Sequence, residues 1–326
     1  MPTPSEPRGA SPGSTASLPH PICRITPAFT LLELLLSIAI VSTLLTLLLP
    51  ALRGGRDAAR ASLCASNVRQ LSLANSLYAG DYRDRCAPGA PNFAANLTRW
   101  HGSRQHPSGA FHAEGGTLSD YFESTDGSGG AGGVRVCPAF TAALRAIDDA
   151  AAQGAPAGFE RSCGGYGYNN VFVGVTRRRA VTASPPGRNA VTWPLMTDAL
   201  GAARSMFRSP AATVEFADAA LASTEGPTGV IEYSFLEPRF WPEYPDRDPS
   251  PRADPSIHFR HGCSRGGRGG GGGGGAVAAM LDGHVGPPLP MSDSWTSGIY
   301  GVDPVIAGIG WFSLQPARGN GEFDPD

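Results

Sequence analysis

An apolar run of 21 residues, from Phe29 to Leu49, constrains this 326-residue chain more than any other feature. At about 1.5 Å per residue, a helix of that length crosses a hydrocarbon core of roughly 30 Å. Its only charged residue is Glu33, near its start, and Pro50 follows its end. A carboxylate inside a membrane span costs on the order of a few kcal/mol unless it finds a partner. The run therefore predicts one membrane helix whose Glu33 has a function.

The run has two simpler interpretations. A cleavable secretory signal has an apolar core of about 7–15 residues followed by a small-residue cleavage site. This run is longer, lacks such a site, and continues into a helical pattern, so a secretory signal is disfavoured. The second is a plain signal anchor whose Glu33 lies at the level of the lipid headgroups.

The start of the run resembles the N-terminal signature of type IV prepilins and type II secretion pseudopilins. The segment Phe29–Glu33 reads FTLLE and follows a Pro/Ser/Gly-rich stretch, residues 1–28. The resemblance implies that residues 1–28 are a leader. It also implies that a prepilin peptidase cuts between Ala28, where the family usually has Gly, and Phe29, which is then N-methylated. Glu33 and Pro50 stand where the family commonly has these residues, which implies a role in assembly.

The chemistry of that signature can be stated from the residues. Cleavage before Phe29 would leave a free amine at the tip of an apolar helix. In a dry bundle of helices, the Glu33 carboxylate of one subunit and the amine of its neighbour attract far more strongly than in water. We therefore expect Glu33 to set the stagger between neighbouring helices.

Later segments resemble pseudopilin-like proteins with a C-terminal domain of the H-X9-DG type. The matching segments are Arg60–Leu71, Tyr78–Tyr82, Trp100–Gly102, Val136–Pro138, Tyr166–Asn169, Val214–Asp218, His261-Gly262 and Ala276–Val285. Between His261 and Asp282 lie 20 residues, where the family pattern has nine. A Gly/Arg-rich insert, residues 264–275, accounts for nearly all of the excess.

These observations predict an α+β fold of the pilin-like kind. It has a long N-terminal transmembrane and stalk helix packed on a C-terminal antiparallel β-sheet domain. The expected organisation is a leader at 1–28, a transmembrane helix at 29–50, an amphipathic stalk at 51–86, and an exported β-rich domain at 87–326. Pro50 is expected to kink the helix, with Gly54-Gly55 close behind.

Periodicity supports the stalk and the sheet. Apolar residues recur with a helical period at Cys64, Val68, Leu71, Tyr78 and Tyr82. Asn67 belongs to the opposite, polar side. Beyond Cys86, β-like runs occur at Val134–Val136, Gly167–Val175, Val191–Met196, Thr213–Ala217, Gly229–Ser234, Ile257–Arg260 and Ala276–Leu281, and a helix is predicted for Ala139–Ala152.

The expected location is the bacterial inner membrane, with a single pass, the leader inside and the C-terminal domain exported. The count of positive charges opposes this orientation. Arg8 and Arg24 precede the span, whereas four arginines follow it within twenty residues. The orientation is taken from the resemblance, because the peptidase requires the leader inside.

Two groups of residues are candidates for bonds or sites in the exported domain. Cys137 and Cys163 flank the predicted helix, and an exported domain permits disulfides, so this pair is expected to bond first. His261, Asp282 and His284 could form a metal site or an Asp–His pair. A tight turn at Asp282-Gly283 explains the same residues without a ligand and is favoured.

No motif predicts an enzyme, a cofactor or a metal. The chain has no C-x-x-C or H-x-x-x-H spacing for zinc, no G-x-S-x-G and no H-E-x-x-H. The net charge of −2 and the two arginines of the insert give no reason to expect a nucleic-acid partner.

The expected function is that of a pseudopilin-like structural subunit, assembled into a periplasmic or surface fibre of a type II secretion or type IV pilus-like system. Its partners would be the prepilin peptidase, like or related pseudopilin subunits, and an inner-membrane assembly platform. The alternative is a monomeric, membrane-anchored binding module with an exported β domain.

Overall fold

The structure, a computed structural model, describes residues 30–122, 133–156, 158–181, 192–240, 253–262, 274–312 and 322–323. The chain divides into two units, Met1–Pro50 and Ala51–Asp326. The predicted leader, with Ala28 and Phe29, lies outside the described residues.

Two α-helices and many short strands form the regular structure of the described residues. The helices are α1 (Leu31–Asp81) and α2 (Thr141–Ala152), and 3-10 turns occur at Ser119–Tyr121, Arg204–Met206 and Pro210–Ala212. The strands are β1 (Thr98–Arg99), β2 (Gly102–Ser103), β3 (Tyr166–Tyr168), β4 (Thr176–Val181), β5 (Thr192–Thr197), β6 (Val214–Asp218), β7 (Leu221–Ala222), β8 (Val230–Ile231), β9 (Ile257–His258), β10 (His261–Gly262), β11 (Gly274–Ala276), β12 (Ala278–Met280), β13 (Leu289–Pro290) and β14 (Ile309–Gly310).

The strands of the described residues pair in six small sheets, and every ladder between named strands is antiparallel. Four sheets are the pairs β1–β2, β4–β5, β7–β8 and β9–β14. The other two have three strands each, in the orders β3–β6–β12 and β10–β11–β13. A mixed α+β class with an N-terminal helix is therefore confirmed. The single sheet expected for the C-terminal domain is instead divided into several pieces.

Helix α1 continues through Pro50 and the Gly54-Gly55 pair, where a kink was predicted from the sequence. The border between the two units of the chain falls directly after Pro50. Proline has no backbone N–H, so α1 lacks one hydrogen bond of its backbone ladder at this residue.

Within the second unit, one face of α1 is buried, as the sequence period predicts. Along the predicted stripe, three residues are fully buried, one is half-buried and one is exposed: Cys64, Val68 and Leu71, then Tyr78, then Tyr82. Asn67, expected on the solvent side, instead donates a hydrogen bond to the Val136 carbonyl oxygen at 3.1 Å. The polar side of the helix is therefore narrower than the sequence suggests.

The buried face of α1 packs on the central sheet, β3–β6–β12. Leu71 shares one hydrophobic cluster with Tyr166, Tyr168 and Phe216, all of them fully buried. Tyr168 lies opposite Phe216 in the ladder, and their rings stack at 4.7 Å. Burying side chains of this size stabilises a fold by roughly 1.5–3 kcal/mol each. The contact between helix and sheet is thus the main core of the second unit.

A polar hub at Asn75 lies inside this core. Its amide group donates to the Tyr168 hydroxyl at 3.1 Å and to a Glu215 carboxyl oxygen at 2.6 Å. Its carbonyl oxygen accepts the main-chain N–H of Ala87 at 2.7 Å. Ser72, one turn earlier, donates to the other oxygen of Glu215. Because every side-chain hydrogen-bonding group of Asn75 is engaged, the hub fixes the rotation of α1 on the sheet.

The two strands on either side of the Gly-rich insert pair with each other. Strand β10 pairs with β11, and His261 lies opposite Gly275. Met280 is not part of this hairpin and lies opposite Val214 of β6. The connection of β10 to β11 lies outside the described residues.

The last two residues of the predicted insert, 264–275, belong to the sheet. A Cβ on Gly274 would overlap the carbonyl oxygen of Phe259, and one on Gly275 would come within 2.7 Å of Pro288 Cβ. These two glycines are required for the close approach of neighbouring chain segments.

Other sequence predictions hold in part. Helix α2 begins at Thr141 rather than at Ala139 and ends at Ala152 as expected. Val134–Val136, predicted as a strand, forms a turn instead, and β4 was not predicted.

Candidate functional site

The first turn of α1 holds the acid that the sequence singles out. Thr30 and Glu33 form a capping box, in which each side chain binds the backbone N–H of the other. The Glu33 carboxylate accepts the Thr30 N–H at 2.9 Å and its hydroxyl at 2.8 Å. The Glu33 N–H donates to the Thr30 hydroxyl at 3.2 Å. Glu33 thus has a local role in capping as well as the assembly role that the sequence suggests.

The helix surface that follows the cap is apolar and open. Every side chain described from Thr30 to Leu49 is exposed. The large apolar residues among them are Leu31, Leu32, Leu34, Leu35, Leu36, Ile38, Ile40, Val41, Leu44, Leu45, Leu47, Leu48 and Leu49. Among the described residues, α1 is the one helix long and apolar enough to cross a membrane. An apolar surface of this extent requires a lipid or protein cover.

A second candidate site is buried in the globular unit. It comprises Cys64, Cys137, Asp218 and His261, here called the thiol cluster, and its four ligand-type atoms lie within 4.8 Å of one another. Cys64 comes from the buried face of α1, Cys137 from the turn before α2, Asp218 from the end of β6, and His261 from the start of β10. Four distant segments therefore meet at one point.

The shortest contact in the cluster joins the two sulfur atoms, with Cys64 Sγ and Cys137 Sγ 2.7 Å apart. His261 Nε2 lies 3.1 Å from a carboxyl oxygen of Asp218 and 3.9 Å from Cys137 Sγ. The N–H of Cys137 donates to the Gly164 carbonyl oxygen at 2.9 Å, which holds the turn in place.

Two basic side chains and a backbone N–H surround Asp218 within the core. Arg260 Nε donates to Asp218 at 3.2 Å, and the Val277 N–H donates to its other oxygen at 2.7 Å. Burial favours the neutral acid, but Arg260 and His261 hold the pKa of Asp218 below its ordinary value. Burial likewise disfavours a charged His261, yet its hydrogen bond to Asp218 raises its pKa to about 9. His261 is therefore an imidazolium at neutral pH.

The thiols respond to burial and to each other. Burial raises the pKa of the Cys137 thiol well above its usual value. The hydrogen bond from Cys137 lowers the pKa of Cys64. Two thiolates and an imidazole are ligands that zinc accepts, so the donor set suits that metal in kind. However, both oxygens of Asp218 and Nε2 of His261 already have protein partners. The nearest contact of each sulfur atom is the other sulfur atom.

The structure separates the predicted His261, Asp282 and His284 group. Asp282 and His284 form an exposed pair, with Asp282 Oδ1 and His284 Nδ1 2.7 Å apart. Gly283 between them has a φ of +88°, and its N–H donates to Met280 across a tight turn, as favoured from the sequence. His261 belongs instead to the thiol cluster.

The structure does not pair Cys137 with Cys163, the disulfide expected from the sequence. All four described cysteines, Cys64, Cys86, Cys137 and Cys163, are free thiols. The sulfur of Cys137 contacts that of Cys64 at 2.7 Å, although its N–H binds the carbonyl oxygen of Gly164, the residue after Cys163.

The sequence reasoning missed the roles of Cys64 and Asp218. Both lie in segments that carry the H-X9-DG resemblance, Arg60–Leu71 and Val214–Asp218, and that was the available signal. No local spacing joins them, because each comes from a different element.

A buried set of Ser234, His101 and Glu160 resembles a catalytic triad in composition only. The Ser234 hydroxyl donates to Glu160, and His101 Nε2 lies 2.9 Å from that hydroxyl. In a triad the carboxylate orients the imidazole, whereas here it binds the hydroxyl and Arg99. All four residues are at most 2% exposed, and burial lowers the pKa of His101 well below its usual value. This set therefore serves the packing of the core.

Comparisons with known proteins give no relative. No protein-family model matches the chain, and no curated protein or solved structure matches it.

Proposed function

We propose that this chain is a pseudopilin-like structural subunit. In this proposal a prepilin peptidase removes residues 1–28, and Phe29 becomes an N-methylated terminus. The processed subunit leaves the inner membrane through an assembly platform and joins like or related subunits in a periplasmic or surface fibre. The exported part is the globular unit that begins after Pro50.

The observation that carries the proposal is the open apolar surface of α1 with a single acid in its first turn. From Thr30 to Leu49 every described side chain is exposed. Such a helix is covered by lipid before assembly and by other helices afterwards. A span whose only task is anchoring gains no more than a helix cap from Glu33, and the carboxylate costs free energy in the membrane unless it is paired.

The capping box adds a constraint to the mechanism. It holds the Glu33 carboxylate at the N-terminal end of the helix, beside the N–H of Thr30. Cleavage would place the amine of Phe29 next to that point in the chain. A neighbouring subunit that is shifted along the helix axis could present its own amine to the same carboxylate. In a bundle without water this pairing is far stronger than at a wet surface.

The buried half of α1 has a separate role. From Cys64 to Ala79 its inward residues pack in the globular unit, so this face is not available to neighbours. Helix assembly therefore involves the exposed apolar part before Pro50. The globular unit is the part that a fibre would display.

Capping and charge at Glu33 can be separated by substitution. Glu33→Gln removes the charge but keeps a residue that serves a capping box. Thr30→Ala removes the cap but keeps the charge. We expect Glu33→Gln to insert normally and to form at least about tenfold fewer crosslinked oligomers, because its partner amine loses a charged contact. Thr30→Ala should assemble close to the wild-type level.

The readout is chemical crosslinking of the full chain in membranes that contain the peptidase. Normal oligomers in Glu33→Gln would contradict the charge pairing, whereas a wild type that forms no oligomers would favour the monomeric binding module. Equal losses in both variants would also contradict it, because they would show that capping is what matters.

A further inference from the structure

The two sulfur atoms of the thiol cluster lie in direct contact although their residues are 73 positions apart. Both cysteines are fully buried, so neither thiol is placed for reaction with a partner outside the fold. Cys64 is held by the rigid helix α1, and Cys137 by the backbone bond to Gly164 at 2.9 Å. The contact is therefore a fixed feature of the globular unit.

We propose that Cys64 and Cys137 form a disulfide bond that ties α1 to the turn before α2. Two S–H bonds break and one S–S bond forms, with release of two protons and two electrons. The electrons pass to the disulfide of a thiol–disulfide oxidoreductase, which is thereby reduced to two thiols. Because both cysteines end up fully buried, this exchange takes place while the domain folds, before α1 covers the sheet.

The surroundings favour a disulfide over a metal. A metal held by all four residues would have to take Asp218 from Arg260 and from the Val277 N–H. It would also have to break the contact between His261 and Asp218. A disulfide changes only the two sulfur atoms and leaves this charged network intact.

The other described cysteines do not compete for Cys137. Cys163 is fully buried. The N–H groups of its two neighbours, Ser162 and Gly164, donate to the Glu232 carboxyl group. Cys86 lies near Asn75 and Glu215, at the polar hub. In the structure, Cys64 is the residue whose sulfur contacts that of Cys137.

The bond would close a ring of more than seventy residues and would restrict the unfolded chain accordingly. It would also transmit a force applied to α1 directly to the turn before α2. This inference rests on the export of the domain in the proposed function, because disulfides persist in oxidising compartments.

The sequence makes the bond easy to map. The chain has arginine but no lysine, so trypsin places each cysteine on a separate peptide. Cys64 falls on peptide 61–69, Cys137 on 136–145 and Cys163 on 162–177. The full chain is refolded in detergent with oxidised and reduced glutathione, alkylated under denaturing conditions, digested without reduction and analysed by mass spectrometry.

We expect peptides 61–69 and 136–145 to appear joined and to separate on reduction. Alkylated thiols on both peptides would overturn the proposal, as would a link between 136–145 and 162–177. One equivalent of zinc bound to reduced protein would overturn it as well.

Stability provides an independent readout. Cys64→Ser and Cys137→Ser should each lower the midpoint of thermal unfolding by roughly 10 °C, and a reductant should lower the wild type by a similar amount. Cys163→Ser is the control, and the reductant should still lower the midpoint of its thermal unfolding. A wild type whose midpoint ignores the reductant would contradict the bond.

The same map of protein alkylated inside cells separates the two proposals. A bond found after refolding but absent in cells would support the disulfide and count against export. A bond found in both would support both.

Discussion

Single polar side chains position α1 on the central sheet. Asn75 and Ser72 both bind the carboxyl group of Glu215, which is fully buried on β6. Burial raises the pKa of Glu215 to about 7. The carboxyl group of Glu215 is therefore neutral below that pH. Above it, the group carries a charge inside the core, which destabilises the fold.

This shift predicts a stability that falls as pH rises. In the unfolded chain Glu215 ionises near its ordinary pKa of 4.5, whereas in the fold it holds its proton to about 7. Between these values the unfolded state binds fewer protons, so the free energy of unfolding decreases with pH and then levels off. Glu215→Gln should be about as stable as the wild type near pH 4.5. It should be more stable at pH 8, by on the order of 2 kcal/mol.

The measurement is urea unfolding of the full chain in detergent from pH 4.5 to 8. Burial also raises the pKa of Glu232 to about 7. The Glu215→Gln variant should therefore still lose part of its free energy of unfolding as pH rises. The exposed Glu225→Gln is the matched control and should follow the wild type. A Glu215→Gln variant that loses stability with pH as steeply as the wild type would contradict the assignment.

At the scale of elements, the sequence predicts α1 well and the strands less well. A 3.6-residue period over many turns identifies the helix and its buried face, because the same stripe repeats at Cys64, Val68 and Leu71. Strands β11 and β12 consist mainly of Gly and Ala, with no alternation of apolar and polar residues. The register of β11 depends on the close approach of its glycines to Phe259 and Pro288, which no local pattern contains.

One part of the candidate sites could be predicted from the sequence and the other could not. Glu33 stands out because a lone charge in an apolar run is locally visible. The thiol cluster does not, because its four residues come from α1, the turn before α2, β6 and β10. Their meeting follows from the packing of the helix on the sheet. His261 was identified from the sequence, but with the wrong partners.

The hairpin of β10 and β11 yields a prediction at this scale. Deleting residues 265–272 leaves Cys263, Ser264 and Gly273 to connect Gly262 with Gly274, which pair in the ladder. A shorter closure should leave the free energy of unfolding unchanged or slightly higher. Gly274→Ala should lower it by about 1–3 kcal/mol, because its Cβ would overlap the Phe259 carbonyl oxygen.

Urea unfolding of both variants beside the wild type checks this pair of expectations. Gly286→Ala is a suitable control, because a Cβ there meets nothing within 4 Å. A large loss of stability on deletion would show that residues 265–272 contribute to the fold. A neutral Gly274→Ala would show that the close approach is absent.

For the whole molecule, the two units have opposite surfaces. The described side chains of the first unit are exposed and mostly apolar, whereas the second encloses a core that reaches to Phe323. The Glu322 carbonyl oxygen accepts the Val214 N–H at 2.8 Å, and Arg239 pairs with the Glu322 carboxylate. Residues close to the C-terminal end of the second unit thus take part in its core. The proposed function needs both features, a folded domain to display and an apolar helix that neighbouring subunits can cover.

The central claim is that the chain is processed as a prepilin, and the N-terminus of the protein from native membranes tests it most directly. Trypsin would release the terminal peptide up to Arg53, and mass spectrometry would identify its first residue. We predict a peptide that begins at Phe29 and carries one methyl group on its amine. A peptide that begins at Ile25, as cleavage by trypsin after Arg24 would produce from an unprocessed chain, would contradict the claim.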